Sequence, residues 1–369
     1  MGYDIVMFDL SKLNVCFVAG TLGQGGAERQ LFYILNALKR SGASIRLLCL
    51  TQGEFWEERV RELGIAITWV GQNESRLARL RRIISVLRKS RPDIIQSQHF
   101  YTNLYAVAAA RALGIREIGA IRSDGINEIR SNGRILGYLS LHAPRFIAAN
   151  SKAAIRNALA MGVPDRRLRL LSNVVDTDRF KPAVLQKKDR IRLISAGRLI
   201  PQKRIDRFID LVAHARNESR ADVEGVIVGE GPHKERLIER AARLGLLNDA
   251  VKFVGSVEDM PPVYQQASIF VLTSECEGSP NVVLEAMASG LPVIATKVGG
   301  VSDIVRHGDT GFLAEAGDDT SMAESLMRLV KDEDLRVKMG CRARDYVEAN
   351  HSLYKLPLFL SNTYETVFS

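Results

Sequence analysis

Cysteine is scarce in this chain: Cys16, Cys49, Cys276 and Cys341 are the only four among 369 residues. Their scatter gives no metal-ligand spacing and no disulfide framework. Cys16 and Cys49 lie inside apolar, strand-like runs, so buried free thiols in a reducing cytoplasm are expected. The first residues, MGYDIVMFDLSKLNVCFVAG, lack a basic leading segment and a continuous apolar core, and they carry Asp4 and Asp9. They read poorly as a signal peptide. No window approaches the roughly 20 apolar residues of a membrane span. Short-period repeats and low-complexity tracts are also missing. What remains is ordinary for a soluble globular protein, 46% hydrophobic and 25% charged, and long enough for two domains with a core each.

Acidic charge is short in one half only. Residues 1–185 carry 27 Lys/Arg against 15 Asp/Glu, and residues 186–369 carry 24 against 27. The densest basic run is Arg76 to Arg91, whose Leu and Ile positions share one helical face while its arginines spread over the rest. It reads as a surface helix packed on a sheet, or as an attachment to an anionic membrane or a phosphorylated acceptor. The run has no interleaved aromatics and no accompanying recognition motif, so nucleic acid is not expected as a partner.

Both halves alternate short β-branched runs with longer helical patterns, the signature of parallel α/β sheets. Strands are expected near 13–19, 45–50, 66–70, 93–97, 117–121, 145–149 and 168–171, then 191–197, 224–229, 250–254, 269–272, 292–296 and 311–314. Helices are expected near 26–40, 76–90, 102–113 and 151–161, then 203–216, 233–244, 282–289 and 319–330. Pro182 to Asp189 is polar, has no apolar period and reads as a linker. The fold class is therefore α/β, two tandem Rossmann-like domains with a ligand cleft between them. Their bounds are 1–185 and 186–351.

The segment Glu277-Gly278-Ser279-Pro280-Asn281-Val282-Val283-Leu284-Glu285 places two carboxylates across a loop-to-helix junction. A helix start leaves backbone N–H groups unpaired and attracts anions and hydroxyl oxygens. Ionised glutamates accept hydrogen bonds and donate none. Two of them beside such amides suit a polyhydroxylated ligand carrying phosphates. Upstream, Gly197-Arg198-Leu199-Ile200-Pro201-Gln202-Lys203 ends the first strand of the second half, where two cations would neutralise a diphosphate.

In the first half, Gly20-Thr21-Leu22-Gly23-Gln24-Gly25-Gly26-Ala27-Glu28-Arg29 links a strand to a helix. It reads as a phosphate-approaching loop or as a tight turn. No acidic residue ends the second strand near Leu50, which counts against a nicotinamide cofactor. His99 follows the strand ending at Ser97 and would face the cleft beside the glycine loop. Arg122 ends the next strand and would contact an anionic acceptor. Asp176-Thr177-Asp178 matches an Asp-X-Asp metal pattern, but it lies before the linker, in the wrong domain for such a nucleotide, and reads as turn residues.

Together, Arg198, Lys203 and Glu277–Glu285 resemble the retaining glycosyltransferases of family 4, which have the GT-B fold. The resemblance runs over nearly the whole chain, through Gly25–Arg29, His99, Asn173–Asp176, Gly229–Pro232, Phe253–Gly255, Leu291–Thr296 and Gly299-Gly300. It implies a donor site in the second domain. Arg198 and Lys203 would hold a diphosphate in place of a metal, Glu285 the ribose, and Glu277 the donor sugar. Backbone around Gly278, Ser279, Pro280, Asn281 and Val282 would lie nearby, with Gly197 beside the phosphates. The base would lie against Val254 and Gly255. Gly25 and Gly26 would approach donor or acceptor phosphates. Gly23, Gln24 and Arg122 would lie on the acceptor side, and His99 in the catalytic set. A last helix, 352–368, would return to the first domain. The implied activity is retaining, cofactor-free and metal-free transfer from a nucleotide sugar, most commonly UDP-linked. Its acceptor would be a lipid-linked or cell-surface glycan at the inner face of the membrane. A small soluble acceptor and a non-catalytic membrane or nucleic-acid adaptor are the competing readings. Two positions depart from the family pattern: Val174 and Arg204 replace glycines.

Overall fold

The computed structural model describes residues 8–71, 74–183, 190–219 and 221–369. Thirteen strands among them form two sheets. The first holds β1 (Asn14–Ala19), β2 (Ser44–Cys49), β3 (Ala66–Trp69), β4 (Ile94–Ser97), β5 (Arg116–Ile121), β6 (Phe146–Ala149) and β7 (Leu168–Leu170). The second holds β8 (Ile191–Ala196), β9 (Val223–Val228), β10 (Val251–Gly255), β11 (Ile269–Leu272), β12 (Val293–Thr296) and β13 (Gly311–Ala314). Strand order is β3-β2-β1-β4-β5-β6-β7 in one and β10-β9-β8-β11-β12-β13 in the other. The pairings within both are parallel. In each sheet the order reverses direction beside the first strand, between β1 and β4 and between β8 and β11. Open α/β sheets bind ligands at the carboxyl ends of such strands.

Strand residues alternate between two buried faces. On β8, Leu193 packs with Phe208, Val212 and Leu326, while its neighbour Ile194 packs with Tyr264, Phe270 and Leu284. Helices cover both sides, which explains why apolar residues such as Leu193 and Ile194 follow one another directly along a strand. The basic helix Arg76–Lys89 starts at Ser75, whose side chain accepts from the Ala78 amide. It buries Ile83 and Leu87 and leaves Arg76, Arg81, Arg82, Arg88 and Lys89 exposed. Among the described residues no helix is long and apolar enough to cross a membrane. The cysteines are free, and burial pushes the Cys16 thiol up to about 12.

The chain divides into a first unit of Met1–Asn173 with Tyr354–Ser369, and a second of Val174–Leu353. The final helix, Leu356–Phe368, belongs to the first unit, and its Tyr364 hydroxyl donates to Gln96 Oε1 of β4 at 2.6 Å. The first crossing falls earlier than the boundary at 185 read from the sequence. Val175 bridges to Ser352, and Arg344 bonds the carbonyls of Thr177 and Phe180, tying the segment after Asn173 into the second unit. The expected linker at Pro182–Asp189 lies outside the described residues from 184 onward. Asp176 is corrected with the boundary: it belongs to the second unit, together with Arg198 and Glu285. Its Oδ1 accepts from the amides of Asp178 and Arg179, both at 3.1 Å, as a turn cap does.

Candidate active site

In the second unit, β8 runs into the turn Gly197–Lys203 and β11 into Thr273–Glu277. Three hydrogen bonds stitch these turns together. The Glu275 amide donates to Gln202 O at 2.8 Å, and Thr273 Oγ1 lies 2.9 Å from Lys203 O and 2.8 Å from Arg204 O. Lys203 Nζ is thereby brought to 2.6 Å from Glu277 Oε1, which also accepts from Ser274 Oγ at 2.6 Å. Thr296 Oγ1 anchors the same turn from β12, donating to Ser274 O at 2.5 Å. Glu277 is only 8% exposed. Its Oε2 has no hydrogen-bond partner among the described residues. Burial makes an ion pair costly to break by removing one partner. Arg198, by contrast, is exposed, and its guanidinium has no partner among the described residues. The sequence treated both as available cations; the structure distinguishes a paired Lys203 from an open Arg198.

Two glycines make this geometry fit. A side-chain carbon on Gly229 would lie 1.9 Å from Gly197 O, so the turns after β8 and β9 pack backbone to backbone. At Gly299, where φ is +51, it would lie 1.7 Å from Glu277 O. The Gly300 amide donates to Gly278 O at 2.7 Å, completing the support beneath the Glu277 loop.

Pro280 then opens the helix Asn281–Ala288 without a side-chain cap. Ser279, Asn281 and Val282 lie across this start, and Glu285 follows one turn on. Glu285 is 3% exposed and accepts from the Tyr264 hydroxyl at 3.0 Å. Tyr264 is fully buried on the helix Pro261–Gln266 and fixes where that carboxylate points. Nothing in its local sequence marked it, because its partner is 21 residues away. Val254, 45% exposed, and Gly255 end β10, the edge strand two places from β8.

Arg204 has φ 47 and ψ 45, a left-handed backbone that costs a non-glycine residue about 1–2 kcal/mol. Its guanidinium is held by two other carboxylates: Nε and Nη2 bond Asp206 at 3.0 and 2.9 Å, and Nη1 bonds Glu275 at 2.7 Å.

In the first unit, Gly20–Gly25 leads from β1 to the helix Gly26–Arg40, and His99 follows β4. The Gly20 amide donates to His99 Nδ1 at 3.0 Å, so the ring proton sits on Nε2 and is given to Glu28 Oε1 at 3.1 Å. Both ring nitrogens are thus engaged, and His99 is 8% exposed. Gln98 Nε2 donates to Ala27 O at 2.7 Å from the same strand end. Gly23 and Gln24 form the outer part of the loop, with Gln24 exposed. Gly25 is the uncapped residue before the helix, and Gly26 its first residue. Glu54, absent from the sequence reading, anchors the loop by accepting from Thr21 Oγ1 at 2.7 Å and from the Leu22 amide. Burial raises its pKa, but hydrogen bonds from Thr51, Leu22 and Thr21 outweigh that and hold it below the usual carboxylate range.

Arg122 differs from expectation. Its Nε and Nη2 are buried without hydrogen-bond partners among the described residues, and burial lowers its pKa to about 10. Glu128, whose Oε1 accepts from the Arg122 amide at 3.1 Å, is raised to about 7, chiefly by burial. Arg122 is therefore an inward arginine, where the sequence suggested an open anion contact.

Two parallel sheets of Rossmann-like order, each with a loop site at its reversal point, define the two-domain GT-B class. The family follows from comparison. The model "Glycosyl transferases group 1" matches residues 176–346 and "Glycosyltransferase Family 4" matches 24–179. The chain belongs to glycosyltransferase family 4. It is 30% identical over 228 residues to an N-acetyl-alpha-D-glucosaminyl L-malate synthase of Bacillus anthracis, covering 60% of this chain and 58% of that one. As with several other relatives, that match spans little more than half the relative's length. It is 25% identical to a Campylobacter jejuni alpha-1,4-N-acetyl-D-galactosaminyltransferase named for an undecaprenol-linked acceptor, covering 90% of this chain and 93% of that one. Anabaena Alr3699/HepE, solved with UDP-glucose, shares the fold at a TM-score of 0.83 and 19% identity, covering 96% of this chain and 100% of that one.

Proposed function

We propose that this chain is a retaining, metal-independent glycosyltransferase that moves a sugar from a UDP-linked donor to a lipid-linked or cell-surface glycan. The observation that carries the reading is the junction of Lys203, Ser274 and Glu277 at the carboxyl ends of β8 and β11, with Glu285 oriented by Tyr264. The bound diphosphate would take Lys203 as a partner and draw in Arg198. Their charge would stabilise the leaving phosphate, the role a metal fills elsewhere. Glu277 would hold hydroxyls of the donor sugar, Glu285 those of the ribose, and the amides from Ser279 to Val282 would lie beside them. The base would rest against Val254 and Gly255. Within the first unit, Gly25 and Gly26 would approach phosphate, with Gly23 and Gln24 on the acceptor side; Arg122, turned inward, takes no part in this reading.

In the reaction we favour, the acceptor hydroxyl attacks the anomeric carbon on the face the phosphate leaves. The bond from that carbon to the phosphate oxygen breaks, and the departing diphosphate takes the hydroxyl proton. Glu277 is then a sugar-positioning group. His99, with both ring nitrogens engaged, would position the Gly20–Glu28 loop and leave proton transfer to the phosphate. The Campylobacter relative supports a lipid-linked acceptor. The malate-using Bacillus relative favours the second reading, a small soluble acceptor. The exposed cationic face of Arg76–Lys89 suits peripheral attachment to an anionic membrane at the cytoplasmic side.

Thermal-shift screening against nucleotide sugars identifies the donor, since a ligand at 100 times its Kd stabilises by about 2.7 kcal/mol. Transfer from that donor is then measured in excess EDTA. Full activity is expected; loss restored by Mn²⁺ would overturn the metal-independent reading. Glu285→Ala is expected to abolish donor turnover, whereas an adaptor would keep its membrane or nucleic-acid binding. A trapped glycosyl-enzyme on Glu277 would refute the front-face route.

A further inference from the structure

The second unit also contains a cavity of about 310 Å³ between the turn 201–206 and one face of the helix Lys234–Arg243. His233, Arg236, Arg240 and Arg243 line it from the helix, at spacings that share a face. Arg204 and Asp206 line it from the turn. Most of this charge is matched locally: Arg204 pairs with Asp206 and Glu275, and Arg240 with Asp210 at 2.6 Å. Arg236 and Arg243 have no ion-pair partner among the described residues. Like charges in a row on one helix face repel, and an anion beside them removes that cost. Isolated solvated arginines would account for Arg236 and Arg243. They would not account for a concave wall completed by Arg204, whose left-handed backbone sends its guanidinium into a fixed three-bond clamp.

We propose that this cavity binds a small, multiply charged phosphorylated anion, separately from the nucleotide-sugar donor. Guanidinium forks match phosphate oxygens two at a time, and Arg236 and Arg243 present such forks along one wall, while Arg240 between them is held by Asp210. The volume lies at the small end of ligand pockets, which suits a phosphorylated sugar or short polyphosphate. Arg204 directly follows Lys203, and Thr273 Oγ1 bonds the carbonyls of both. An occupant that draws on Arg204 therefore acts on the turn that places Lys203 against Glu277. Binding stands without the donor reading; its coupling to donor affinity rests on that reading.

Inorganic tripolyphosphate is titrated into the full chain by calorimetry, with and without saturating UDP. Saturable binding is expected in both conditions; with UDP on the donor site it should be unchanged in Lys203→Ala and weakened at least about tenfold in Arg236→Ala/Arg243→Ala. Both arginines are exposed, so the variant should fold, and an unchanged Tm checks this. Competition with UDP, non-saturating heat, or wild-type binding by the double variant would overturn the site. If UDP does not bind while tripolyphosphate binding still depends on Arg236 and Arg243, the donor reading fails and this site stands.

Discussion

The two units solve the same topological problem with opposite chemistry. Each sheet reverses beside its first strand, and each places a glycine turn there against the end of a neighbouring strand. In the second unit that junction is ionic: Lys203 meets a nearly buried Glu277, with Arg198 open beside it in sequence. In the first it is a hydrogen-bonded relay through a single histidine tautomer, from the Gly20 amide to His99 to Glu28. On the proposed reading, charge stabilisation would belong to one unit and loop positioning to the other. The same fold therefore supports unequal roles, and substitutions at equivalent places should fail in different ways.

The largest effect is expected at Lys203. Lys203→Ala should lower kcat/KM by about 10²–10³-fold, because on the proposed reading the leaving diphosphate would lose a preorganised cation. Steady-state kinetics with saturating acceptor measure it. A loss below tenfold would erase the contrast between the units. His99→Ala should cost roughly tenfold, through misplacement of the glycine loop. The loss should fall mainly on acceptor KM and show no change in the pH profile. A lost basic limb would instead make His99 a proton carrier. Tyr264→Phe should raise donor KM several-fold with little change in kcat, and cost about 1 kcal/mol from the hydrogen bond lost to Glu285. The smallest effect concerns pH. Glu128 is raised from 4.5 to about 7, so the folded state holds its proton more tightly than the unfolded chain. Its contribution is complete below about pH 4.5 and is lost as pH rises through about 7. Glu128→Gln should flatten the decline in Tm across that window, as thermal melts at several pH values would show.

Much of this was legible in the sequence, for local reasons. Strands such as β11 and β12 are short, mostly apolar runs ended by polar turns, so their positions and the loops after them could be read directly. Glu277 and Glu285 stood out because both lie within one turn-to-helix segment. What escaped depends on distant contacts. The Lys203–Glu277 pair spans 74 residues, Tyr264 acts on a carboxylate in another helix, and Glu54 reaches back to Thr21 and Leu22. The domain crossing was misplaced because Arg344, 164 residues from Phe180, holds that segment in the second unit. Arg122 looked like an open cation because a strand end predicts exposure of the backbone turn, whereas its Nε and Nη2 are buried, with Glu128 and Tyr364 near enough to act on its charge.

The division of labour around Glu277 is tested most directly by calorimetric binding of UDP to the wild type, Lys203→Ala and Glu277→Ala. If Glu277 positions the sugar and otherwise competes for Lys203, Glu277→Ala should bind UDP at least as tightly as the wild type while turnover is lost, and Lys203→Ala should bind it more weakly. Equal loss of UDP affinity in both variants would contradict that assignment.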